Sequence, residues 1–312
     1  MQFPFTLKKD ADLDVVGFGT NAVDFLIQVP RYPEFNSKIE LTDHLQAAGG
    51  EIATSMVGLQ RLGLRTSYIG RFGTDNAGEI GINSLLDEGV DLTYAEKIDG
   101  AQTQIAFIVI DERSGERTVI WKRDAKLHYS ELDVPIDAVK STKVLHFTPH
   151  DARACIRLAD AARISGAIVS IDVDNVFDDV DELLSSVDII IASSDFPKKL
   201  LGEPDPRAAL REMQQRYGAG VVGVTLGDAG SLLLSGDQFI ETAGFEVPGG
   251  CKDTTGAGDS FRVGLLYGLI TGESVEDSAQ IANAVAALKC RSVGARTALP
   301  TQEELNSLLK NI

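Results

Sequence analysis

Residues 253–266 read DTTGAGDSFRVGLL: two aspartates, three Thr/Ser hydroxyls and two glycines in nine residues, running straight into an apolar helical pattern. A loop of Gly256, Ala257 and Gly258 that opens a helix leaves backbone N–H groups without intrahelical partners. Their partial positive charge, added to the helix dipole, favours an anion there. Larger side chains would crowd a phosphate at this spot. A carboxylate beside an anion site is repulsive unless it has a task, and Asp259 is placed to accept a proton from a hydroxyl attacking a phosphoryl group. Asp253, six residues earlier, either shapes the loop or reaches a cation. The same spacing also fits an Asp-Thr turn leading into an N-capped helix with no ligand, and spacing alone does not separate the two.

Outward from this stretch, short β-rich runs alternate with helical patterns. Strands are expected at 14–19, 105–110, 117–121, 143–147, 167–172, 188–193 and 220–226, and helices near 51–62, 76–88, 151–165, 206–217, 257–270, 274–290 and 302–310. Ser274 with Asp277, and Thr301 with Glu304, read as helix starts. Apolar strands alternating with helices imply an α/β fold whose mostly parallel sheet is covered on both faces. Residues 24–46 and 103–121 break the rhythm: strands without intervening helices predict a small antiparallel sheet projecting from the body. The run GFGTNA (17–22) fits the G-x-G-x-x-G/A dinucleotide fingerprint, and Glu40 lies where an acid would reach a ribose. The following VDFLIQVPRYP opposes the helix that fingerprint needs, which leaves the glycines as a tight strand exit.

The chain has 312 residues, 44% of them hydrophobic, and a formal net charge of −17. Such a surface repels nucleic acid and anionic membranes, so neither is expected as a partner. No apolar run reaches the roughly 18 residues of a membrane span. Cys155, Cys251 and Cys290 lack zinc or redox spacing and read as free thiols in a reducing compartment. With no secretory signal evident at the start, a cytoplasmic protein acting on a small ligand is expected.

The motifs together resemble the ribokinase-like, or PfkB, carbohydrate kinases. DTTGAGDSFRVGLL fits the C-terminal signature Asp-Thr-x-Gly-Ala-Gly-Asp. AAGGEIATSMVGLQRLG (47–63) followed by SYIGRFGTDNAGE (67–79) is similar to the N-terminal signature, VTLGDAGSLL (224–233) to the nucleotide-binding strand and turn, and 282–305 to the C-terminal segment. The resemblance implies a three-layer α/β domain over 1–312 with a small β-sheet lid formed by 24–46 and 103–121. It implies ATP-dependent phosphorylation of a sugar hydroxyl, with Asp259 as base and Gly256, Ala257 and Gly258 as the anion hole. It places Asn21, Asp24, Gly49, Gly50 and Thr54 at the sugar, and Thr225, Gly227, Gly230 and Asn283 at the nucleotide. Asp253, Thr255 and Gly294 match the region where many members hold a monovalent cation such as K⁺. Mg²⁺ accompanies ATP, and a homodimer pairs through the lid.

Four positions depart from the pattern. The Asn-x-x-Glu that helps organise Mg²⁺ in many members is Ser193 and Phe196 here, with Asp195 adjacent. Thr54 stands where ribokinase-type members have Asn, which turns the expectation from ribose toward fructose-like or other sugars. Ala298 replaces a serine that helps close the cation site. A phosphorylated sugar would need a basic cluster, for which Lys38, Lys122 and Arg123 are candidates; the alternative is solvated lid charges. Trp121 reads as packing within the small sheet or as a platform for a sugar ring. A nucleoside kinase of the same fold would need an apolar slot, for which Phe18, Phe107 and Trp121 are candidates. A non-catalytic sugar- or nucleotide-binding protein is the rival from another class.

Overall fold

The apolar runs pair into two sheets in the computed structural model, which describes residues 1–310. In chain order the strands are β1 (Leu13–Phe18), β2 (Ala22–Val29), β3 (Asp43–Gly49), β4 (Thr66–Gly73), β5 (Ala95–Ile98), β6 (Ile105–Asp111) and β7 (Arg117–Lys122). They continue with β8 (Thr142–Phe147), β9 (Ile168–Val173), β10 (Ile189–Ser193), β11 (Val221–Thr225), β12 (Ser231–Ser235) and β13 (Gln238–Thr242). The helices are α1 (Glu51–Arg61), α2 (Asn76–Leu86), α3 (Ala152–Ile164), α4 (Val180–Leu184), α5 (Phe196–Leu201), α6 (Pro206–Tyr217), α7 (Ala257–Thr271), α8 (Val275–Lys289) and α9 (Gln302–Leu309).

The large sheet has nine strands in the order β13-β12-β11-β10-β9-β8-β1-β4-β5. Pairing is parallel from β11 through β5. Only β12 and β13 run antiparallel, because short turns rather than helices connect them to β11 and to each other. Successive residues of a strand point to opposite faces, and two cores result. Val16, Leu145 and Ile190 pack with α3 and α6 on one face. Val15, Val144, Ile189 and Ile191 pack with α1, α7 and α8 on the other. Burial on both faces explains why these strands read as continuous apolar runs.

Helix α7 can sit deep because small residues line it. A Cβ on Gly264 would lie 2.4 Å from Ala282 Cα, and one on Gly268 would lie 2.3 Å from Ser278 Oγ, so α8 packs directly on its backbone. The two helix-start signals are present. The Ser274 hydroxyl accepts the Asp277 N–H at 3.0 Å, and Thr301 with Glu304 forms a full capping box. Among the described residues no helix is long and apolar enough to cross a membrane.

The small sheet has the order β3-β2-β6-β7. It is not purely antiparallel as expected: β2 and β6 run parallel. They come from separate segments joined through α1, β4, α2 and β5, and so long a connection lets both strands run the same way. Residues 31–42 of the expected insertion form no strand. After GFGTNA the chain enters β2, and no helix follows to receive a pyrophosphate. Strands β4, β5, β12 and β13 were not anticipated. β4 holds Gly70 and Gly73, which weaken a strand signal, and SLLLS is too short to separate from a helix segment.

Candidate active site

Glycine at 256 allows the left-handed φ of 76° that turns the chain into α7. The Ala257 N–H donates to Thr254 O at 3.1 Å, and the Ser260 N–H to Gly256 O at 2.9 Å. Among the described residues the N–H groups of Gly258 and Asp259 reach no backbone carbonyl, so they are the donors left for an anion. Gly258 also leaves room for the neighbouring guanidinium: a Cβ there would lie 2.8 Å from Arg262 Nη1.

Asp259 stands in the first turn of α7, half-buried in a cleft at the carboxyl ends of the parallel strands. Removal from water lifts its carboxyl from 3.8 to about 7; Asp172 adds to this, and Arg262 and Arg117 oppose it. Asp172, at the end of β9, forms an ion pair with Arg262 at 2.6 Å and is itself pushed up to about 6, chiefly by burial. Arg262 also donates to Ile191 O at 3.0 Å. Glu51, which begins α1 directly after Gly50, is raised well above the usual range by desolvation and by the charges of Asp259, Asp172 and Asp174. Its side chain nonetheless keeps 40% of its surface open. Asp259 and Glu51 are thus both partly open to solvent.

The small sheet brings the remaining groups over this floor. Asp24 is 4% exposed, and its carboxyl is pushed up to about 6 by burial, opposed by Arg296. A Cβ on Gly49 would fall 1.9 Å from Asp24 Oδ2, so only glycine fits beside that carboxylate. Gly50, at φ 90°, packs against the Asn21 backbone. Asn21 itself donates to Tyr68 Oη at 2.9 Å and to Arg71 O at 3.0 Å, which braces the turn between β1 and β2. Thr54 is fully buried, and the nearest side-chain donor to its hydroxyl is Arg296 Nε at 3.4 Å.

Strand register puts Ala47, Asp24, Ala106 and Trp121 in one row across the sheet. Cross-strand neighbours share a face, so Trp121 lies on the Asp24 side with small residues on either side of Asp24. It is 55% exposed, edge-on to His150 at 6.0 Å. The packing reading of Trp121 is therefore replaced by an open ring beside the cleft. Phe107 lies on the opposite face, stacked with Phe25 at 5.1 Å, and Phe18 is in the core. The hairpin β6–β7 also touches the anion loop, where Arg117 donates to Thr254 Oγ1 at 3.0 Å.

Thr225 ends β11, and Gly227 and Gly230 both have positive φ in the turn that follows. A Cβ on Gly230 would lie 2.0 Å from Thr242 O. Asn283 is 6% exposed rather than solvent-facing; its amide donates to Ser231 Oγ at 3.2 Å and Thr242 O at 3.3 Å, tying α8 to this turn. Beside it, Asp228, Gly244, Phe245, Val247 and Cys251 line an open groove.

Phe196 is fully buried, and Ser193 donates to Asp195 Oδ1 at 2.9 Å, while Asp195 pairs with Lys199 at 2.7 Å. Among the described residues no group of three or more His, Cys, Asp or Glu is arranged to hold a metal. Arg123 is not a free lid charge: it is bound to both oxygens of buried Asp151. Asp253 accepts the N–H groups of Thr255 and Gly294, each at 2.8 Å. Glu51, Asp172, Arg262, Lys289 and Arg296 escaped the sequence reading. The signal was present for one of them, since Arg262 is a cation inside an otherwise largely apolar helix.

A family model described as pfkB family carbohydrate kinase matches residues 13–302. The chain is 27% identical over 299 residues to a nucleoside kinase of Methanothermobacter thermautotrophicus, covering 94% of each chain. It is 29% identical to a fructokinase of Escherichia coli, covering 84% of this chain and 92% of that one. A crystal structure of Arabidopsis thaliana ribokinase with ribose and ATP superposes with a TM-score of 0.81 at 25% identity, covering 96% of this chain and 99% of that one.

Proposed function

The chain belongs to the pfkB family of carbohydrate kinases, and from that premise we propose that it transfers the γ-phosphate of ATP to a hydroxyl of a small sugar, with Asp259 as general base. The observation that carries this reading is the Asp259 carboxyl, lifted to about 7 and set at the start of α7 beside the open N–H groups of Gly258 and of Asp259 itself. A base poised near neutral pH accepts a proton in the transition state without holding it too weakly to help. The N–H groups of Gly258 and Asp259, with Arg262 and Arg117 nearby, oppose the charge on the transferring phosphoryl group.

Asp24 receives adjacent sugar hydroxyls, since an ionised carboxylate is an acceptor only and can take two donors at once. Gly49 keeps the backbone clear beside it, and Trp121 offers a ring face. The nucleotide lies along the turn of Thr225, Gly227 and Gly230 and the groove beside it. Mg²⁺ neutralises phosphate charge. It usually keeps several waters and takes one or two carboxylates; Asp195, which accepts from Ser193 and pairs with Lys199, is the carboxylate beside the departed motif that would serve it. The small sheet acts as a lid tied to the anion loop by Arg117 and Thr254, and its closing over bound substrates excludes water. A homodimer forms through this sheet, where Phe107 and Ile120 remain 43% and 59% exposed on the face away from Asp24.

A second reading has its own support: the open Trp121 ring would stack a nucleobase as well as a sugar. ADP release with Mg²⁺-ATP across a panel of sugars and nucleosides separates them. Turnover on one sugar, lost at least 100-fold in Asp259→Asn, supports the first reading. Turnover confined to nucleosides replaces it with the second. Ligand binding without turnover on any compound refutes both.

A further inference from the structure

Lys289 ends α8 with its side chain turned inward, and none of its surface is exposed. Its Nζ donates to Asp253 O at 2.7 Å and lies 3.8 Å from Asp253 Oδ2. Asp253 is equally enclosed. Its carboxylate takes the N–H of Thr255 from its own loop and the N–H of Gly294 from the segment after α8. Next to this contact, the Lys252 N–H donates to Cys290 O at 2.9 Å. One charge pair thus joins the start of the 253–258 loop to the end of α8.

A carbonyl and a carboxylate oxygen facing inward suit a hard monovalent cation, but here the side chain already supplies one. A second cation beside the ammonium would be repelled in a place closed to water, where screening is weak. Ala298 adds no hydroxyl ligand. The residues at Asp253, Thr255 and Gly294 therefore do not fit an exchangeable potassium ion. Nor is Lys289 incidental to the loop, since a buried ammonium is tolerated only when paired and its partner is the residue that begins the anion-binding turn.

We infer that the Lys289 ammonium is a built-in monovalent cation that positions Asp253 and the Gly256–Gly258 loop, so that the protein needs neither potassium nor sodium. Lys289 is a positioning residue: it acts through the loop and does not touch the reacting atoms.

The test uses the full chain in tetramethylammonium buffer, with K⁺, Na⁺ or NH₄⁺ added at constant ionic strength. Melting and ADP release are followed for the wild type, Lys289→Ala and Lys289→Met. The wild type is expected to show the same Tm and less than a twofold change in rate with every ion. Lys289→Ala, which opens a space beside the Asp253 oxygens, melts lower and loses activity, and K⁺ or NH₄⁺ restores both saturably, the rate by at least tenfold. Lys289→Met fills the space without charge and is not rescued. A wild-type Tm that climbs with potassium overturns the inference, and that measurement stands whether or not either variant folds. A Lys289→Ala protein indistinguishable from wild type without ions overturns it too. Melting needs no substrate, so this outcome is separate from the kinase assignment, on which only the rate arm rests.

Discussion

Asp259→Asn is expected to stabilise the fold while removing turnover. The carboxyl is raised from 3.8 to about 7, first by burial and then by Asp172. A carboxyl whose folded pKa is raised holds its proton more tightly folded than unfolded. Its ionisation therefore opposes folding progressively as pH rises from about 4, and fully above about 7. At about 1.4 kcal/mol per pH unit, the interval from 3.8 to about 7 sets an upper bound of about 4 kcal/mol. The cleft is open to solvent and screens the charge, which brings the effect to about 1–2 kcal/mol. Asparagine carries no charge at any pH and lifts the whole penalty. For a chain of this length the apo variant should melt about 1.5–3 °C above wild type at pH 8. The gain should fall below half of that at pH 5 and vanish near pH 4. Urea or thermal unfolding of both proteins at three pH values measures this. A variant no more stable than wild type at pH 8, or a gain independent of pH, refutes the account of Asp259 as a desolvated carboxylate. The same raised pKa predicts a wild-type kcat/KM that falls about tenfold per pH unit below about 7.

Arg262→Met leaves Asp172 buried without its 2.6 Å partner and should cost about 3–5 kcal/mol, read as a fall in the urea midpoint. Gly49→Ala places a methyl 1.9 Å from Asp24 Oδ2, so KM for the sugar should rise at least tenfold with the KM for ATP unchanged; equal KM values would remove Asp24 from the sugar site. Trp121→Ala changes an exposed ring and should move stability by no more than about 0.5 kcal/mol, yet raise KM for the phosphoryl acceptor severalfold. Thr301→Ala removes one half of the capping box and should cost about 1 kcal/mol without affecting turnover.

Much of the molecule was legible in one dimension because its signals are local. Apolar runs such as DIIIAS, the caps at Ser274 and Thr301, and the glycines and aspartates of DTTGAGD each act through residues close in sequence. Those signals carried the α/β class, the parallel sheet and the loop at the mouth of α7. Pairing across long separations was decided only in three dimensions. The parallel β2–β6 contact depends on how an intervening unit folds, and together with the β6–β7 hairpin it puts Trp121 in the row of Asp24. The charges that tune Asp259 come from Asp172, Arg262 and Arg117, on three separate elements, and burial sets the size of their effect. Lys289 shows the difference most plainly. In sequence it is one cation at a helix end, where the dipole alone would explain it; the packing of α8 against the 253–258 loop turns it inward onto Asp253 and seals it from water.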